Sequence, residues 1–226
     1  MVSKLLAQGF PVLLVGSVGT GKSSTAINVL ESLDSTKYSL LLINMSAQTT
    51  SNNVQDTIES RTEKRTKGVY VPIGGKTMVC FMDDFNMPAK EVYGSQPPLE
   101  LIRQWIDYGF WYDRLKQWRT QIKQMLLMSA MGPAGGGRQV ISPRTLSRFN
   151  VINMTFPSEA TIQHIFGSML AQHLFDFSEE IKQLGKTVTL ATIDLYKIVI
   201  AKMLPTPAKI HYLFNLRDIS KIFQVI

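Results

Sequence analysis

The eight residues Gly16-Ser17-Val18-Gly19-Thr20-Gly21-Lys22-Ser23 constrain this chain more than any others. They fit the phosphate-loop pattern G-x-x-x-x-G-K-[ST], and they have the surroundings that pattern needs. Pro11-Val12-Leu13-Leu14-Val15, a short apolar run, reads as a buried strand leading into the loop. Behind it, Ala26, Val29, Leu30 and Leu33 recur at one-face helical spacing. Glycines let backbone N–H groups close around phosphate oxygens, and a helix N-terminus adds positive potential. Lys22 would then reach the β- and γ-phosphates, and the Ser23 hydroxyl would ligate Mg²⁺. An ordinary glycine turn requires neither the strand before nor the helix after.

The 226 residues can bury a substantial core in one or two domains, with 45% apolar and 18% charged residues as in folded proteins. A net charge of +7 raises the question of nucleic acid. The basic residues are scattered, however, and the densest group, Arg61, Lys64, Arg65 and Lys67, is interleaved with Glu59 and Glu63. That is the pattern of a solvated helix face. Cys80 is the only cysteine, which excludes an intrachain disulfide and a cysteine metal cluster and fits a reducing compartment. His164, His173 and His211 show no metal-ligand spacing and read as structural. No apolar run is long enough for a membrane span, and Gly9 and Pro11 interrupt any signal-like helix. A soluble intracellular protein is expected.

Tyr38–Asn44 reads as a second buried strand, and a charged helix is expected to run to about Lys67. Val69–Ile73 and Lys76–Met82 read as the arms of a hairpin turning at Gly74-Gly75, with Pro72 marking an edge. A helix over Leu99–Tyr108, a strand over Met125–Ala130 and a flexible glycine connector at Gly135–Gly137 follow. Ser142 caps a short helix with Pro143 in its first turn, and Phe149–Phe156 reads as the last strand. Beyond Pro157 the strand signal stops. Helices are expected after the cap Ser158, over 174–184, over 189–203, and over a final stretch with Ile219, Ile222, Phe223 and Ile226 on one face. An α/β part followed by an all-helical part puts a boundary near residue 157.

Met78–Met82 is an apolar strand ending in Asp83 and Asp84. In a phosphate-loop enzyme such a strand is expected beside the loop strand, with its first acid, Asp83, orienting the Mg²⁺ shell and Asp84 polarising the attacking water. The aromatic stretch Trp105, Tyr108, Phe110, Trp111, Tyr112 and Trp118, interleaved with Arg103, Arg114 and Arg119, could stack bases, but packing is the simpler use.

The run Phe81-Met82-Asp83-Asp84-Phe85-Asn86-Met87-Pro88 resembles dynein heavy chains, and most closely the third AAA+ module of the axonemal kind. Gln104–Asp113, Met131–Arg138 and His211–Ser220 extend the likeness over nearly the whole chain. The resemblance implies a P-loop AAA+ fold: a parallel sheet flanked by helices over 1–156, then a small helical lid over 157–226. It implies binding of ATP or ADP with Mg²⁺ within a ring of neighbouring AAA+ modules. It also implies a place in the cytoplasmic cytoskeleton and the ciliary axoneme, with microtubule contact only through a stalk that nothing here resembles. Gly16 to Ser23 match the family's Walker A loop, and Asp83 and Asp84 its Walker B pair. Many AAA+ proteins carry Glu where Asp84 stands, one methylene longer. The sensor-1 position, often Asn, falls at Met131, which cannot orient a water; Ser129 could substitute. Arg148 matches an arginine finger reaching a neighbouring module, with Arg144 the alternative, and Arg217 matches the lid's sensor-2 arginine. Three functions stay open: a regulatory ATP site with slow or conditional hydrolysis, a nucleotide-stabilised structural module without turnover, and a DNA-acting remodeller suggested only by charge. The chain is expected to be a fragment or very short product, acting on neither nucleic acid nor membrane.

Overall fold

The computed structural model describes residues 1–209 and 211–225. It separates into two units, Met1–Ser17 with Lys22–Met154, and Val18–Gly21 with Thr155 onward. In chain order the first unit contains α1 (Val2–Ala7), β1 (Val12–Val15), α2 (Lys22–Glu31), β2 (Tyr38–Asn44), α3 (Ser51–Glu59), β3 (Thr62–Thr66) and β4 (Val69–Pro72). Then follow β5 (Thr77–Asp83), α4 (Pro97–Tyr108), β6 (Phe110–Tyr112), β7 (Arg119–Ile122), β8 (Met125–Met131), α5 (Pro143–Leu146) and β9 (Asn150–Asn153).

Five strands form a wholly parallel sheet in the order β2-β5-β8-β1-β9. Alternation along the strands sorts their side chains between two apolar faces. Leu13, Met78, Cys80, Met82 and Leu127 pack with Val54 and Ile58 of α3 and Leu99 and Ile102 of α4. Val12, Leu14, Val79, Phe81, Met128 and Ala130 pack with Leu6 of α1 and with Ala26 and Leu30 of α2. Helices therefore cover both faces. The loop from Gly16 leaves the C-terminal end of β1, an interior strand, and ligands bind at the carboxyl ends of strands in open α/β sheets. No helix among the described residues is long and apolar enough to cross a membrane.

The smaller sheet, β3-β4-β7-β6, corrects two expectations. The basic cluster is not a helix face, because α3 stops at Glu59 and Lys64 and Arg65 lie on β3, paired antiparallel with β4. Thr62 and Thr66 are β-branched, and Gly68, at φ +76°, supplies the reversal. Nor is there a hairpin at Gly74-Gly75: β4 pairs with β3 and β7, while β5 belongs to the large sheet. Ile73–Gly75 is one 3₁₀ turn that hands the chain between sheets. Pro72 is not on an edge strand, but it lies past Val69 and Tyr70, the two residues paired with β7, so its missing N–H costs that pairing nothing.

Trp105 and Trp111 of the aromatic stretch pack inward, whereas Tyr108, Tyr112 and Trp118 are exposed. Trp111 is fully buried and its indole N–H donates to Glu59 Oε1 at 2.8 Å; Trp105 donates to the Ile122 carbonyl at 3.1 Å. β9 ends at Asn153, shorter than expected, because its partner β1 ends at Val15 where the loop begins.

The second unit holds α6 (Glu159–His173), α7 (Glu179–Lys202) and α8 (Leu216–Val225). Ser158 caps α6 by accepting from the Thr161 amide at 3.3 Å. Ile162, Phe166, Ile193, Tyr196 and Ile219 make its core, and Phe166 stacks on Phe223 at 4.8 Å between ring centres. One helix, α7, replaces the two expected. It runs unbroken through Gly185, where a Cβ would come 3.0 Å from Leu174, so the absent side chain permits close packing. Ile226, placed by pattern on the last apolar face, lies outside the described residues.

Burial in the sheet interior pushes the Cys80 thiol up to about 12. It is therefore expected to resist iodoacetamide at pH 8 in the folded chain and to react at once in denaturant, as read by mass spectrometry.

Candidate functional site

The loop after β1 takes the shape its glycines permit. Gly19 and Gly21 have φ of +77° and +79°, a region other residues enter at a cost. Val18–Gly21 group with the C-terminal unit, and there a Cβ on Gly19 would fall 2.6 Å from the Asn215 side chain. Asn215 begins α8 as a reciprocal cap: its Oδ1 accepts from the Arg217 amide at 2.8 Å, and its own amide donates to Asp218 Oδ2 at 3.0 Å. Lys22 opens α2 and curls back so that Nζ donates to the Gly16 and Ser17 carbonyls at 3.0 and 2.6 Å. Thr20 is buried, and Ser17 and Val18 are exposed.

Ser23, on the first turn of α2, donates its hydroxyl proton to Asp83 Oδ2 at 2.5 Å. The route differs from the expected one. β5 is not the neighbour of β1, because β8 lies between them. The contact forms because α2 packs across β8 onto β5, with Ala26 and Leu30 among Val79, Phe81, Met128 and Ala130. A hydroxyl and a carboxylate, both hard oxygen donors, then stand together below the loop. That donor pair fits Mg²⁺, which takes one or two carboxylates plus phosphate oxygens. Among the described residues no group of three or more His, Cys, Asp or Glu could hold a metal by itself.

Asp84 leaves the strand in the left-handed region, at φ +50°. Its amide donates to Asp83 Oδ1 at 2.9 Å, and Arg138 Nη2 meets Asp84 Oδ1 at 3.1 Å. Sequence reasoning assigned Arg138 no role, although it directly follows the three glycines. Those glycines are no flexible connector: Gly135 and Arg138 exchange backbone hydrogen bonds at 3.0 and 3.1 Å, closing a tight turn. Met131 ends β8 half-buried, and its carbonyl accepts from the Gly16 amide at 3.3 Å. Ser129 cannot stand in for a water-ordering group. It is 0% exposed, paired between Leu13 and Met82 in the sheet, with no partner for its hydroxyl.

Arg148 lies apart from these carboxylates, its Nε 2.7 Å from Asp107 Oδ1 at the end of α4. Asp107 also accepts from Arg103 at 2.8 Å. Glu100, bonded to the same guanidinium, and Asp107 together hold Arg103 above its ordinary range. Arg144 is exposed, 3.9 Å from Glu100. Arg217 is exposed on α8 in the second unit.

A parallel sheet with a glycine loop at the end of the interior strand β1 and two acids at the end of β5 defines a P-loop nucleotide-binding module. The family model described as the P-loop containing dynein motor region matches residues 1–157, and the AAA+ lid domain matches 188–226. Dynein axonemal heavy chain 2 of Mus musculus is 68% identical over 99% of this chain, and that of Homo sapiens 66%. The Dynein-1-beta heavy chain of the flagellar inner arm I1 complex of Chlamydomonas reinhardtii is 50% identical over 94%. The chain spans about 5% of the length of each of these relatives. It belongs to the dynein heavy-chain family, among the P-loop AAA+ ATPases.

Alanine at Gly21 meets open space and suffers only its φ, about 1–2 kcal/mol, whereas at Gly19 it also meets Asn215. The G19A variant should therefore melt lower than G21A; equal losses would mean the Asn215 contact carries no constraint.

Proposed function

We propose that this chain is the third AAA+ module of an axonemal dynein heavy chain and binds ATP with Mg²⁺ as a regulatory site of slow or conditional hydrolysis. Residues 1–156 form its nucleotide-binding subdomain and 157–226 its lid. The observation that carries the reading is the 2.5 Å contact between Ser23 and Asp83, at the foot of a loop whose glycines open it to an anion. In this reading the Gly16–Ser23 amides and Lys22 take the phosphates, Lys22 exchanging its two carbonyl partners for charged oxygens, which make stronger bonds. Ser23 and Asp83 hold Mg²⁺, which screens phosphate charge when bound. Asp84 orients the attacking water. Arg148 serves the neighbouring module's γ-phosphate once it leaves Asp107, and Arg217 serves its own from the lid. The names of the relatives support a place in the ciliary axoneme, beside other AAA+ modules of a ring; microtubule contact then falls to the stalk, not to these residues.

A finger from another module contributes about 10³–10⁵ in rate, so the isolated chain should turn over slowly even where it binds well. Lys22→Ala is expected to abolish binding of a fluorescent ATP analogue, measured by anisotropy, and Asp83→Asn to remove the Mg²⁺ dependence of that binding. Undiminished affinity in the Lys22 variant would reject the site.

A second reading, nucleotide held for structure without turnover, is favoured by Met131 and by the burial of Ser129, which leave no polar side chain at the end of β8 to order a water. Asp84→Asn in the assembled heavy chain separates the two. Loss of phosphate release at this site supports the regulatory ATPase, and unchanged release supports the structural role.

A further inference from the structure

We propose that Arg138 is a positioning residue for hydrolysis at this site, holding the Asp84 carboxylate at the angle from which it orients water. The proposal rests on the nucleotide reading above and names a part of the machinery that reading lacks.

Asp84 needs an external anchor. Its backbone is left-handed, at φ +50°, so the alternation of β5 no longer sets where its side chain points. It is also one methylene shorter than the glutamate found in many AAA+ proteins, so its reach toward a water is limited, and a misplacement of about 1 Å can cost on the order of 100-fold. Arg138 supplies the anchor by engaging one oxygen, Oδ1, at 3.1 Å.

The turn that delivers Arg138 is built for it. Gly135, Gly136 and Gly137 all have positive φ, and the two-way backbone bond between Gly135 and Arg138 closes the turn. The guanidinium then lies over Gly132, where a Cβ would stand 2.9 Å from Nε. Nε is buried and has no hydrogen-bond partner among the described residues, an arrangement a surface pair would not require. A second tie fixes this turn to the one following Asp84. Asn86, 1% exposed, donates from Nδ2 to the Gly132 carbonyl at 2.9 Å and accepts at its own carbonyl from the Gln139 amide at 2.9 Å. Two backbone turns, from the ends of β5 and β8, are thus clamped on either side of one carboxylate–guanidinium pair. An ion pair with side chains 24% and 47% exposed contributes little to folding, so its worth lies in orientation.

The test compares wild type, Arg138→Ala, Arg138→Lys, Asp84→Asn and the Arg138→Ala/Asp84→Asn double variant in the full chain. Affinities for ADP and for ADP with tetrafluoroaluminate, which stands in for the transferring phosphoryl group and its attacking water, are measured beside single-turnover hydrolysis. Arg138→Ala should leave ADP affinity unchanged while lowering the preference for the tetrafluoroaluminate complex, and kcat, by about 10- to 100-fold. Arg138→Lys should recover part of the loss, and in the Asp84→Asn background the Arg138 change should add nothing. Equal losses in both backgrounds, a parallel loss of ADP affinity, a faster Arg138→Ala, or no wild-type preference for the complex would each overturn the role. Failure of the nucleotide reading is separately visible, since wild type would then bind ADP no better than Lys22→Ala.

Discussion

A hydroxyl on the first turn of α2 and a carboxylate at the end of β5 meet across an intervening strand, and the site follows from that meeting. The 2.5 Å bond does not produce the arrangement by itself. A hydrogen bond contributes about 1 kcal/mol net, whereas burying one leucine side chain contributes about 1.5–3 kcal/mol. Leu30 and Ala26 are 2% and 0% exposed, packed against β5 and β8, so apolar burial lays α2 across the sheet and the polar contact reports its angle. Two small residues, Ala26 on the helix and Ala130 on β8, belong to that contact. A larger side chain at either would lift the helix and carry Ser23 away from Asp83.

The charges around the site are held loosely by comparison. Lys22 reaches two carbonyls and Arg148 rests on Asp107. Partly exposed ion pairs are worth well under or about 1 kcal/mol, and charge-assisted bonds to phosphate exceed the neutral carbonyl bonds of Lys22. Such partners exchange cheaply. The rigid part of the site is therefore its backbone and apolar packing, and the movable part is Lys22 and Arg148, whereas Arg138 is set by its glycine turn. That division suits a site whose chemistry depends on what arrives.

The elements that position the site were readable because their signals are local. The loop, the strand before it and the helix behind it each have a pattern within a few residues, and β2, β5 and β8 show as apolar runs. What failed was pairing. Val69–Ile73 and Lys76–Met82 look like hairpin arms, yet β4 and β5 enter different sheets: β4 pairs with Thr62–Thr66 and with Arg119–Ile122, the first disguised by its charge and the second remote in sequence with too little periodicity to declare itself. The strand character of Lys64 and Arg65 was hidden by their charge, which reads equally well as a solvated helix. Two helices were expected where α7 runs unbroken through Gly185, whose closeness to Leu174 is a tertiary fact. The placement of β8 between β1 and β5 was likewise out of reach, since strand order depends on crossover connections. Arg138 escaped for the same reason: nothing within the run Gly135–Arg138 points to Asp84.

Strand ends and turns do not hold side chains equally well. A residue inside a parallel strand is fixed by ladder bonds on both sides and by packing above and below. Asp83, the last residue of β5, keeps that support on one side, as the register partner of Asn44 on β2. At the end of β8, by contrast, Ser129 is sealed in the sheet and Met131 has no polar atom able to order a water. The remaining polar groups, Asp84, Asn86 and Arg138, all come from the turns after β5 and β8. Those turns are held by a few hydrogen bonds, among them the bond of the Phe85 amide to the Ala130 carbonyl at 2.9 Å. Elements held this way open at lower cost than sheet interiors. The Ser23–Asp83 contact thus stands on the rigid half of the site, and the Asp84–Arg138 pair on its softer half. On the reading proposed above, hydrolysis would require both turns in register, which is the physical content of conditional turnover.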